Sequence, residues 1–551
     1  MKKDAIQMRD PFVLPLPAEG RYLLFGSTDK NIWSGPGTAC YEWSVIQGKN
    51  CEMNPLNIGS RRELFVDPYL IDRFEAASLR LHPPQSREIA VSFDEPWEAG
   101  APGYCTILQD ETRLRMYYRV PPPGGCEDCD PRQMTAYAES ADGIHWAKPA
   151  LGLFEVDGST ANNVIWRGIT SHNFTPFLDA NPACPPAERY KAVGGTKLEW
   201  GGRGLWLLVS ADGIHWRKRD KAPIAFPGNF DSQNLIFWDA AAGCYRAYWR
   251  DHRIDDPKVP KGRDVRTAVS PDLTTWSEPR WLAYDPNRSG SPELDQTDDP
   301  SGDHHQFYTS GVLPYPRAPH VLLGFPQRYC DRGWLVSTGL LPDPDHRRLR
   351  ASESGGGGRP TRGGTVVTDV LFMASRDGVA FHVWPEAVVR PGIQRPGSWY
   401  YGGAWFTWGM LRTPSAFPGA PDELSVYIQE QFAPDGSGRL RRHTFRMDGF
   451  GSLNAPLTGG LAVTRPFTFD GDRLNINFST SGGGRLRIGL QDVDGVDIPG
   501  FALDDCDLQY GDELERIVSW NGQSNVGALR GRPVRMVIEL KDADLFAMRF
   551  R

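Results

Sequence analysis

Short apolar runs separated by turn-forming residues fill most of the chain. Clear examples are YCTIL (104–108), RLRMYYRV (113–120) and MTAYAES (134–140), followed later by NLIFWD (234–239), CYRAYWRD (244–251) and DVRTAVS (264–270). Runs of this length favour β-strands over the 3.6-residue period of helices. Aromatic residues make up 11% of the chain, which also holds 59 glycines and 46 prolines, a composition rich in strand and turn formers. The chain is therefore predicted to be all-β.

A seven-residue motif recurs between these strands. It occurs as SADGIHW at 140–146 and again at 210–216, as SPDLTTW at 270–276 and as SRDGVAF at 375–381. Each copy has Ser first, Asp third and an aromatic residue seventh. The Asp side chain can accept hydrogen bonds from the amides of its own turn, and the aromatic ring can pack between neighbouring units. The motif predicts a structural repeat.

The spacing of the motif predicts a propeller. Three or four strands and a turn recur every 60–70 residues, apart from the Gly- and Arg-rich insert 343–366, for which we expect a surface loop. This is the size of a propeller blade. We expect five blades within 61–452, with the fifth over 399–450 and the strand at 63–71 closing the ring. Residues 453–551 predict a C-terminal β-sandwich, and residues 1–60 an N-terminal extension.

Charge and hydropathy exclude several partners. The net charge of −7 comes without a basic stripe, which argues against nucleic acid and anionic membranes. No apolar run approaches the roughly 20 residues of a spanning helix, and the N-terminal residues lack the apolar segment of a signal peptide. We therefore expect a cytoplasmic protein, as the sequence is written. Cys126 and Cys129 have zinc-knuckle spacing without a second pair, so a surface turn is favoured and no metal site is predicted.

In blade number and repeat form, residues 63–450 resemble the five-bladed β-propeller glycosidases of families 32, 43, 62 and 68. The string RDPF (9–12) is similar to the start of family 43 enzymes. The strings ELFVDPYLID, FDSQNLIFWD, LGFPQRY and DADLFAMRF look like those of bacterial family 32-like proteins. The family 32 nucleophile motif WMNDPNG is not present. The resemblance implies an active site on the innermost strands, with carboxylates as catalysts.

The innermost strands are expected to come first in each blade, and they carry unusually many polar residues. The stretches are 94–108, 171–179, 230–238, 307–315 and 398–406. Glycoside hydrolysis needs two carboxylates that flank the scissile bond. Glu98 and Asp231 are the leading pair, because blades one and three supply the working carboxylates in the family 43 pattern.

Asp251 is a candidate third carboxylate, and Asp67 and Asp10 are rivals for the base. The alternative for each is a turn cap or an ion-pair partner.

Three arginines end the second strand of a blade: Arg119, Arg250 and Arg328. If they converge, they form a cationic pocket for a carboxylate or phosphate. Alternatively, each pairs with an acidic residue of the next blade.

Further candidates for substrate binding lie on the same innermost strands. His172 is expected to hold a substrate hydroxyl or a water-ligated ion, with a buried core imidazole as the alternative. The remaining polar candidates are Asn173, Gln233 and Asn234. The rings expected to stack on a sugar belong to Trp97, Tyr104, Tyr308 and Tyr400. No cofactor is required, and a structural calcium ion in the channel would be compatible with this arrangement.

The sequence thus predicts a glycoside hydrolase that cleaves a furanoside or acidic sugar linkage in an oligosaccharide or polysaccharide. A glycoside phosphorylase, in which the arginines bind phosphate, is one alternative. A carbohydrate-binding propeller without catalysis is another. A sialidase is less favoured, because the motif lacks one residue of the S-x-D-x-G-x-T-W box.

Overall fold

The computed structural model describes residues 13–15, 21–24, 45–47, 54–98, 102–111, 113–122, 130–195, 204–253, 262–284, 306–353, 364–430 and 438–551. Asp10, Cys126 and Cys129 lie outside these ranges. The chain divides into two compact units, Met1–Asn57 and Ile58–Arg551. In the first unit, an antiparallel three-stranded sheet contains β1 (Val13–Pro15), β2 (Arg21–Leu24) and β3 (Val45–Gln47).

Five strands follow between residues 56 and 92, before the first motif. They are β4 (Leu56–Gly59), β5 (Arg62–Leu64), β6 (Ile71–Glu75), β7 (Ser78–Leu81) and β8 (Gln85–Ser92). Their partners lie far along the chain, as shown below.

The next three sheets are alike, because each has four antiparallel strands that are consecutive in the chain. The first sheet contains β9 (Gly103–Gln109), β10 (Leu114–Val120), β11 (Met134–Ser140) and β12 (Val164–Arg167). The second contains β13 (Thr175–Leu178), β14 (Tyr190–Gly194), β15 (Trp206–Ser210) and β16 (Arg217–Lys218). The third contains β17 (Leu235–Asp239), β18 (Cys244–Arg253), β19 (Gly262–Ser270) and β20 (Arg280–Trp281). Strand β13 contacts both β9 and β17, as the inner strands of a propeller do.

The fourth sheet is larger and has seven strands. They are β21 (Ala283–Tyr284), β22 (Gln306–Phe307), β23 (Leu313–Tyr315), β24 (Ala318–Gly324), β25 (Gln327–Asp331), β26 (Val366–Ser375) and β27 (Ala380–Val389). Strand β21 joins β27 in a parallel pair, and β26 pairs with β24, β25 and β27. This branched pairing differs from that of the other sheets.

Two short helices, α1 (Val336–Gly339) and α2 (Pro344–Glu353), precede β26. Part of the segment 343–366, for which a surface loop was predicted, is instead helix α2. Its buried Arg347 donates hydrogen bonds to the carbonyls of Pro342 at 2.9 Å and Trp399 at 2.6 Å, which ties the helix to the body of the fold.

The fifth sheet contains β28 (Trp405–Phe406), β29 (Leu411–Thr413), β30 (Glu423–Glu430), β31 (Arg439–Phe445) and the early strand β8. Strand β8 pairs antiparallel with β31 and so joins distant parts of the chain. The closing strand is therefore β8, and the prediction that residues 63–71 close the ring is wrong. Four of these sheets are purely antiparallel and blade-like, so the arrangement is propeller-like with four such sheets and not the predicted five.

An eight-stranded sheet follows, and it includes β5, β6 and β7. Its later strands are β32 (Gly451–Ala455), β33 (Gly460–Thr464), β35 (Leu474–Gln491), β36 (Asp512–Ile517) and β37 (Arg535–Phe550), while β34 (Phe467–Phe469) pairs with β4. Residues 62–64 pair with β37 because Leu64 packs in the largest apolar core beside Ala547. The β-sandwich and the domain boundaries at 60 and 452 stay predictions.

Short 3₁₀ turns occupy connections between these strands. They are Pro96–Glu98, Ile169–Asn173, Pro186–Glu188, Leu503–Asp505 and Gly527–Leu529.

The repeated motif forms the same turn four times. In the first copy, Asp142 Oδ1 accepts hydrogen bonds from the amides of Ile144 and His145, both at 2.8 Å, and Ser140 Oγ accepts one from Gly143 at 2.9 Å. The copies at Asp212, Asp272 and Asp377 repeat this pattern. The predicted role of the third-position Asp is confirmed.

The fourth residue of the motif links neighbouring sheets. The Tyr117 hydroxyl, on β10, donates to the Gly213 carbonyl at 3.1 Å, and the Tyr248 hydroxyl, on β18, donates to the Gly378 carbonyl at 2.8 Å. The hydroxyl of Tyr427, on β30, reaches the Gly143 carbonyl in the same way. The seventh-position rings also pack across sheets, since Trp216 meets Tyr117 edge-on with centroids 6.3 Å apart.

Three of the four motif turns have glycine in the fourth position, for two reasons that a pair of substitutions can separate. In Gly213→Ala, residue 213 would keep a φ of 76°, which strains an alanine, and its new Cβ would lie 2.7 Å from the Tyr117 hydroxyl. Gly243 has a φ of 65° but no atom within 4 Å of such a Cβ, so Gly243→Ala reports backbone strain alone, about 1–2 kcal/mol. We expect Gly213→Ala to cost about 1–3 kcal/mol more, because the Tyr117 hydrogen bond is also disrupted. Urea denaturation measures both losses, and equal values would contradict this account.

Candidate active site

The predicted inner stretches meet at one carboxylate, Asp231, which precedes β17. Its side chain is 33% exposed. His172 Nε2 lies 2.9 Å from Asp231 Oδ1, and Arg250 Nη2 lies 3.4 Å from Oδ2. His172 comes from the turn before β13, and Arg250 lies on β18. A partly open carboxylate is thus held against an imidazole and a guanidinium group.

Two buried asparagines hold the backbone on both sides of Asp231. Asn173 Nδ2 donates to the carbonyls of Phe230 at 2.6 Å and Ser232 at 2.8 Å. Asn234 Nδ2 donates to the same two carbonyls, at 3.0 and 2.9 Å. The sequence predicts substrate contacts for both asparagines, but their amide groups bind this backbone. They therefore position the carboxylate.

The surroundings of Asp231 keep it ionised. Burial alone would raise the pKa of this carboxyl group. The hydrogen bond from His172 and the positive charges of Arg250 and Arg119 outweigh burial and hold the pKa well below its ordinary value. Asp231 is therefore suited to act as a base, a nucleophile or an electrostatic stabiliser, but not as a proton donor.

His172 is fixed at both ring nitrogens. Its Nδ1 lies 3.0 Å from Gln133 Oε1, and its Nε2 faces Asp231. Both partners are acceptor oxygens, so the geometry fits a ring that carries a proton on each nitrogen. The structure therefore holds the His172 ring between Gln133 and the Asp231 carboxylate.

Aromatic rings surround this centre. The Tyr104 and Trp405 rings stack with centroids 5.4 Å apart, and the hydroxyls of Tyr104 and Tyr308 are 3.4 Å apart. Tyr329 and Tyr401 also pack against Tyr308. Tyr104 has a φ of 47° and lies where the register between β9 and β10 is irregular, so backbone strain aims its side chain. Flat rings beside polar groups are typical of sugar-binding surfaces.

Three cations lie against these rings. The Arg119 guanidinium is 5.8 Å from the Tyr104 ring centroid, while those of Arg250 and Arg263 are 4.9 and 5.5 Å from that of Tyr308. Arg119 and Arg250 thus meet near Asp231, as the sequence predicts.

Arg328, the third predicted arginine, is placed elsewhere. Its Nε and Nη2 bind the two oxygens of Asp369 at 2.8 and 2.5 Å. Arg328 thus pairs with an acidic residue, but Asp369 lies opposite it on β26 of the same sheet and not in the next blade, as the alternative had predicted.

Gln233 and Tyr400 are also held by the protein. Gln233 Nε2 donates to Thr106 Oγ1 at 3.0 Å and to the Cys105 carbonyl at 3.1 Å. The Tyr400 hydroxyl donates to the Asp343 carbonyl at 3.2 Å, and its ring lies 4.3 Å from the Arg347 guanidinium. Tyr400 therefore supports helix α2.

Glu98, the other leading carboxylate, belongs to a separate network. It is 1% exposed, with Lys148 Nζ 2.6 Å from Oε2 and the Tyr118 hydroxyl 2.5 Å from Oε1. Trp97 Nε1 beside it donates to Asn163 Oδ1 at 2.8 Å. Within the described ranges, no hydrogen bond or ion pair joins Glu98 to Asp231.

The remaining carboxylate candidates form ion pairs. Asp251 Oδ2 lies 2.8 Å from Arg266 Nε. Asp67 Oδ2 lies 3.1 Å from Arg376 Nε, beside the buried Glu63. Burial opposes ionisation of Glu63, but His320 and Arg376 outweigh it and lower its pKa to about 2. Asp67 thus belongs to an ion-pair cluster that joins β5 to the fourth motif.

Among the described residues, no group of three or more His, Cys, Asp or Glu side chains is arranged to hold a metal ion. A structural calcium ion stays a prediction. The same residues contain no helix long and apolar enough to cross a membrane.

Comparisons with known proteins give distant structural likenesses. No protein-family model matches the chain, and no curated protein matches it. A solved structure described as a glycoside hydrolase is 15% identical, with a TM-score of 0.39, over 66% of this chain and 92% of its own. A thermostable family-43 glycoside hydrolase is 11% identical, with a TM-score of 0.38, over 68% and 96%.

A third structure comes from work on glycoside hydrolase family 130, described as mannoside phosphorylases that include hydrolases of β-1,2 mannosidic linkages in Candida mannan. It is 14% identical, with a TM-score of 0.35, over 69% of this chain and 95% of its own. At these scores, the chemistry has to be argued from the site itself.

Sequence reasoning missed several residues of this site. Arg263, Tyr329, Tyr401, Trp405 and Gln133 all lie on strands or turns that meet the predicted inner stretches. Trp405 lies within the predicted inner stretch 398–406, so its position in the sequence could have identified it as a residue of the site. Arg263 begins β19, and no repeated pattern marks it.

The asparagine clamp yields a prediction. Asn173→Ala leaves the carbonyls of Phe230 and Ser232 with fewer donors, so we expect a stability loss of about 1–3 kcal/mol. Because Asp231 then shifts, turnover at this site should fall about 10- to 100-fold. Asn454→Ala is the matched control, since it removes an amide bound to the Ala543 carbonyl in the eight-stranded sheet. It should lower stability without changing turnover, and an equal loss of turnover would refute the clamp.

Proposed function

We propose that this protein is a glycosidase that cleaves a furanoside or acidic sugar linkage in an oligosaccharide or polysaccharide. The observation that carries the proposal is Asp231, an ionised and partly exposed carboxylate beside a cluster of aromatic rings. Glycosidases stabilise an oxocarbenium-like transition state with such a carboxylate.

In this proposal, Asp231 attacks the anomeric carbon or takes the proton of the water that does so, while the bond to the leaving oxygen breaks and that oxygen takes a proton from solvent. Its low pKa keeps the lone pairs available at neutral pH. The exposed fraction of the side chain leaves Asp231 open to a ligand from solvent. The rings of Tyr104 and Tyr308 are buried in the aromatic cluster beside it, and Arg119 and Arg250 offer donors to the oxygens of the sugar.

His172 is a positioning residue in this proposal, because it acts through Asp231. Its two hydrogen bonds fix the ring between Gln133 and the carboxylate. The charge-assisted bond both orients Asp231 and keeps it ionised.

Phosphorolysis is a second candidate function, favoured by one observation. The described residues link a single carboxylate, Asp231, to the arginines of the site. In phosphorolysis a phosphate oxygen attacks the anomeric carbon, so no carboxylate is needed as nucleophile; Arg119 and Arg250 would bind the phosphate, and Asp231 would stabilise the positive charge that develops on the sugar. Strict dependence of turnover on inorganic phosphate, with a sugar 1-phosphate as product, would establish this function.

Paired substitutions test the roles of the two leading carboxylates. A panel of p-nitrophenyl glycosides of arabinofuranose, galactofuranose, fructofuranose analogues and uronic acids, with and without phosphate, measures turnover. Asp231→Asn should lower kcat by at least about 10²- to 10⁴-fold while the protein stays folded. Glu98→Gln should instead lower stability by about 3 kcal/mol, because Lys148 loses its buried partner.

Full activity in Asp231→Asn would overturn the proposal. Loss of kcat in a folded Glu98→Gln variant would restore the pair predicted from the sequence. Silence of the unaltered protein across the panel, with binding on a glycan array, would favour the non-catalytic alternative.

The hydrogen bond from His172 predicts a shift in pH dependence. In His172→Leu, Asp231 loses the first of the interactions that lower its pKa, so its pKa rises. Because Asp231 must be ionised, the acid limb of kcat/KM should move to higher pH. His172→Gln keeps an N–H donor and should show a smaller shift. An unchanged acid limb in both variants would show that the titration of Asp231 does not limit activity.

A further inference from the structure

Two arginines approach a single tyrosine ring next to Asp231. The guanidinium of Arg250, at 3% exposure, and that of Arg263 both lie over the Tyr308 ring, at 4.9 and 5.5 Å from its centroid. Arg263 also lies 4.7 Å from the ring centroid of Tyr329. Tyr308 therefore carries two cations at the edge of the proposed sugar site.

Neither guanidinium group forms a short ion pair with a carboxylate among the described residues. Arg263 forms no ion pair with a described residue; its Nη1 binds the neutral Gln306 Oε1 at 2.7 Å, and its Nε has no hydrogen-bond partner. Arg250 makes only long contacts of 3.4 Å, with Asn229 and Asp231, and its buried Nη1 has no partner among the described residues. A buried guanidinium with an unused donor is costly unless a ligand binds it.

Two other ring-stacked arginines of this protein are paired with acidic residues. Arg115 lies 5.0 Å from the Tyr190 ring centroid, but its Nε binds Asp110 Oδ2 at 2.7 Å. The Arg266 guanidinium is 3.9 Å from the Trp281 ring centroid and is paired with Asp251. Among the described residues, the two guanidinium groups at Tyr308 face one carboxylate, Asp231, which contacts Arg250.

We infer that Arg250 and Arg263 bind a carboxylate carried by the substrate, so that the sugar is an acidic one such as a uronic or ulosonic acid. This inference rests on the proposed function of the site. The planar guanidinium fork matches a carboxylate with two parallel hydrogen bonds. Arg250 also contacts Asp231, so a carboxylate bound here holds the sugar ring beside the catalytic group. Arg263 is then the residue that sets specificity for acidic over neutral sugars.

The test compares matched pairs of substrates. Aryl uronides are assayed beside the corresponding neutral aryl glycosides, which differ only in a hydroxymethyl group in place of the carboxylate. The unaltered protein should prefer the uronide. Arg263→Gln should lower kcat/KM for the uronide about 10- to 100-fold more than that for the neutral glycoside. Arg263→Lys keeps the charge and should recover part of the loss.

Arg189→Gln is the control, because Arg189 also lies over a tyrosine ring, 5.3 Å from that of Tyr190, outside the site. It should change neither activity. Equal effects of Arg263→Gln on both substrates, or a preference for the neutral glycoside, would overturn the inference while the glycosidase function stands.

Two further outcomes have distinct meanings. Turnover that needs inorganic phosphate, with Arg263→Gln raising the KM for phosphate alone, would assign the cations to phosphate and overturn the carboxylate. No turnover of any glycoside would instead refute the proposed function. In that case, titration with free glucuronate and galacturonate tests the cation pair alone. Binding of either acid that Arg263→Gln abolishes would support the assignment of an acidic ligand.

Discussion

The hydrogen bond from a tyrosine on one sheet to a motif carbonyl of the next sheet is the contact on which the arrangement of sheets depends. An Asp side chain first fixes the turn by binding its own amides, which turns the glycine carbonyl outward. The tyrosine hydroxyl and the motif aromatic ring then lock that turn against the neighbouring strand. The third motif has Leu273 in place of glycine, at a φ of 64° and buried in the main core, so apolar packing replaces the hydrogen bond there.

The candidate site follows from this arrangement, because its parts come from several neighbouring sheets. Asp231 precedes the third sheet, while His172 and Asn173 precede the second, and Tyr104 begins the first. The ends of neighbouring strands are brought within hydrogen-bond distance only when the sheets pack side by side. Rigid strands then hold the carboxylate, the imidazole and the aromatic rings in fixed geometry, which is what catalysis by positioning requires.

Local signals in the sequence were sufficient for some of these features and not for others. The motif predicted its own turn, because Ser, Asp and the amides that bind them lie within six residues. The candidates Asp231 and His172 followed from the polar inner stretches, and Arg119 and Arg250 from their shared place at the end of a second strand. Glu98 was misleading because its partner Lys148 lies 50 residues away, and Arg328 because Asp369 lies on another strand. The pairing of β5 to β8 depends on partners more than 300 residues distant, which no periodic pattern records.

Strands β5 to β8 therefore impose an order on folding. As the chain is synthesised, residues 62–92 emerge early, but β31, β32, β33 and β37 do not exist until most of the remaining chain has been made. These strands must wait with unpaired edges, and closure of such long loops is slow. Since β8 completes the last blade-like sheet while β5 to β7 enter the eight-stranded sheet, one early segment joins the two ends of the second unit. The two sheets can therefore be completed only when residues 439–550 are present, and a chain that stops short of residue 445 lacks the strands that cover these edges.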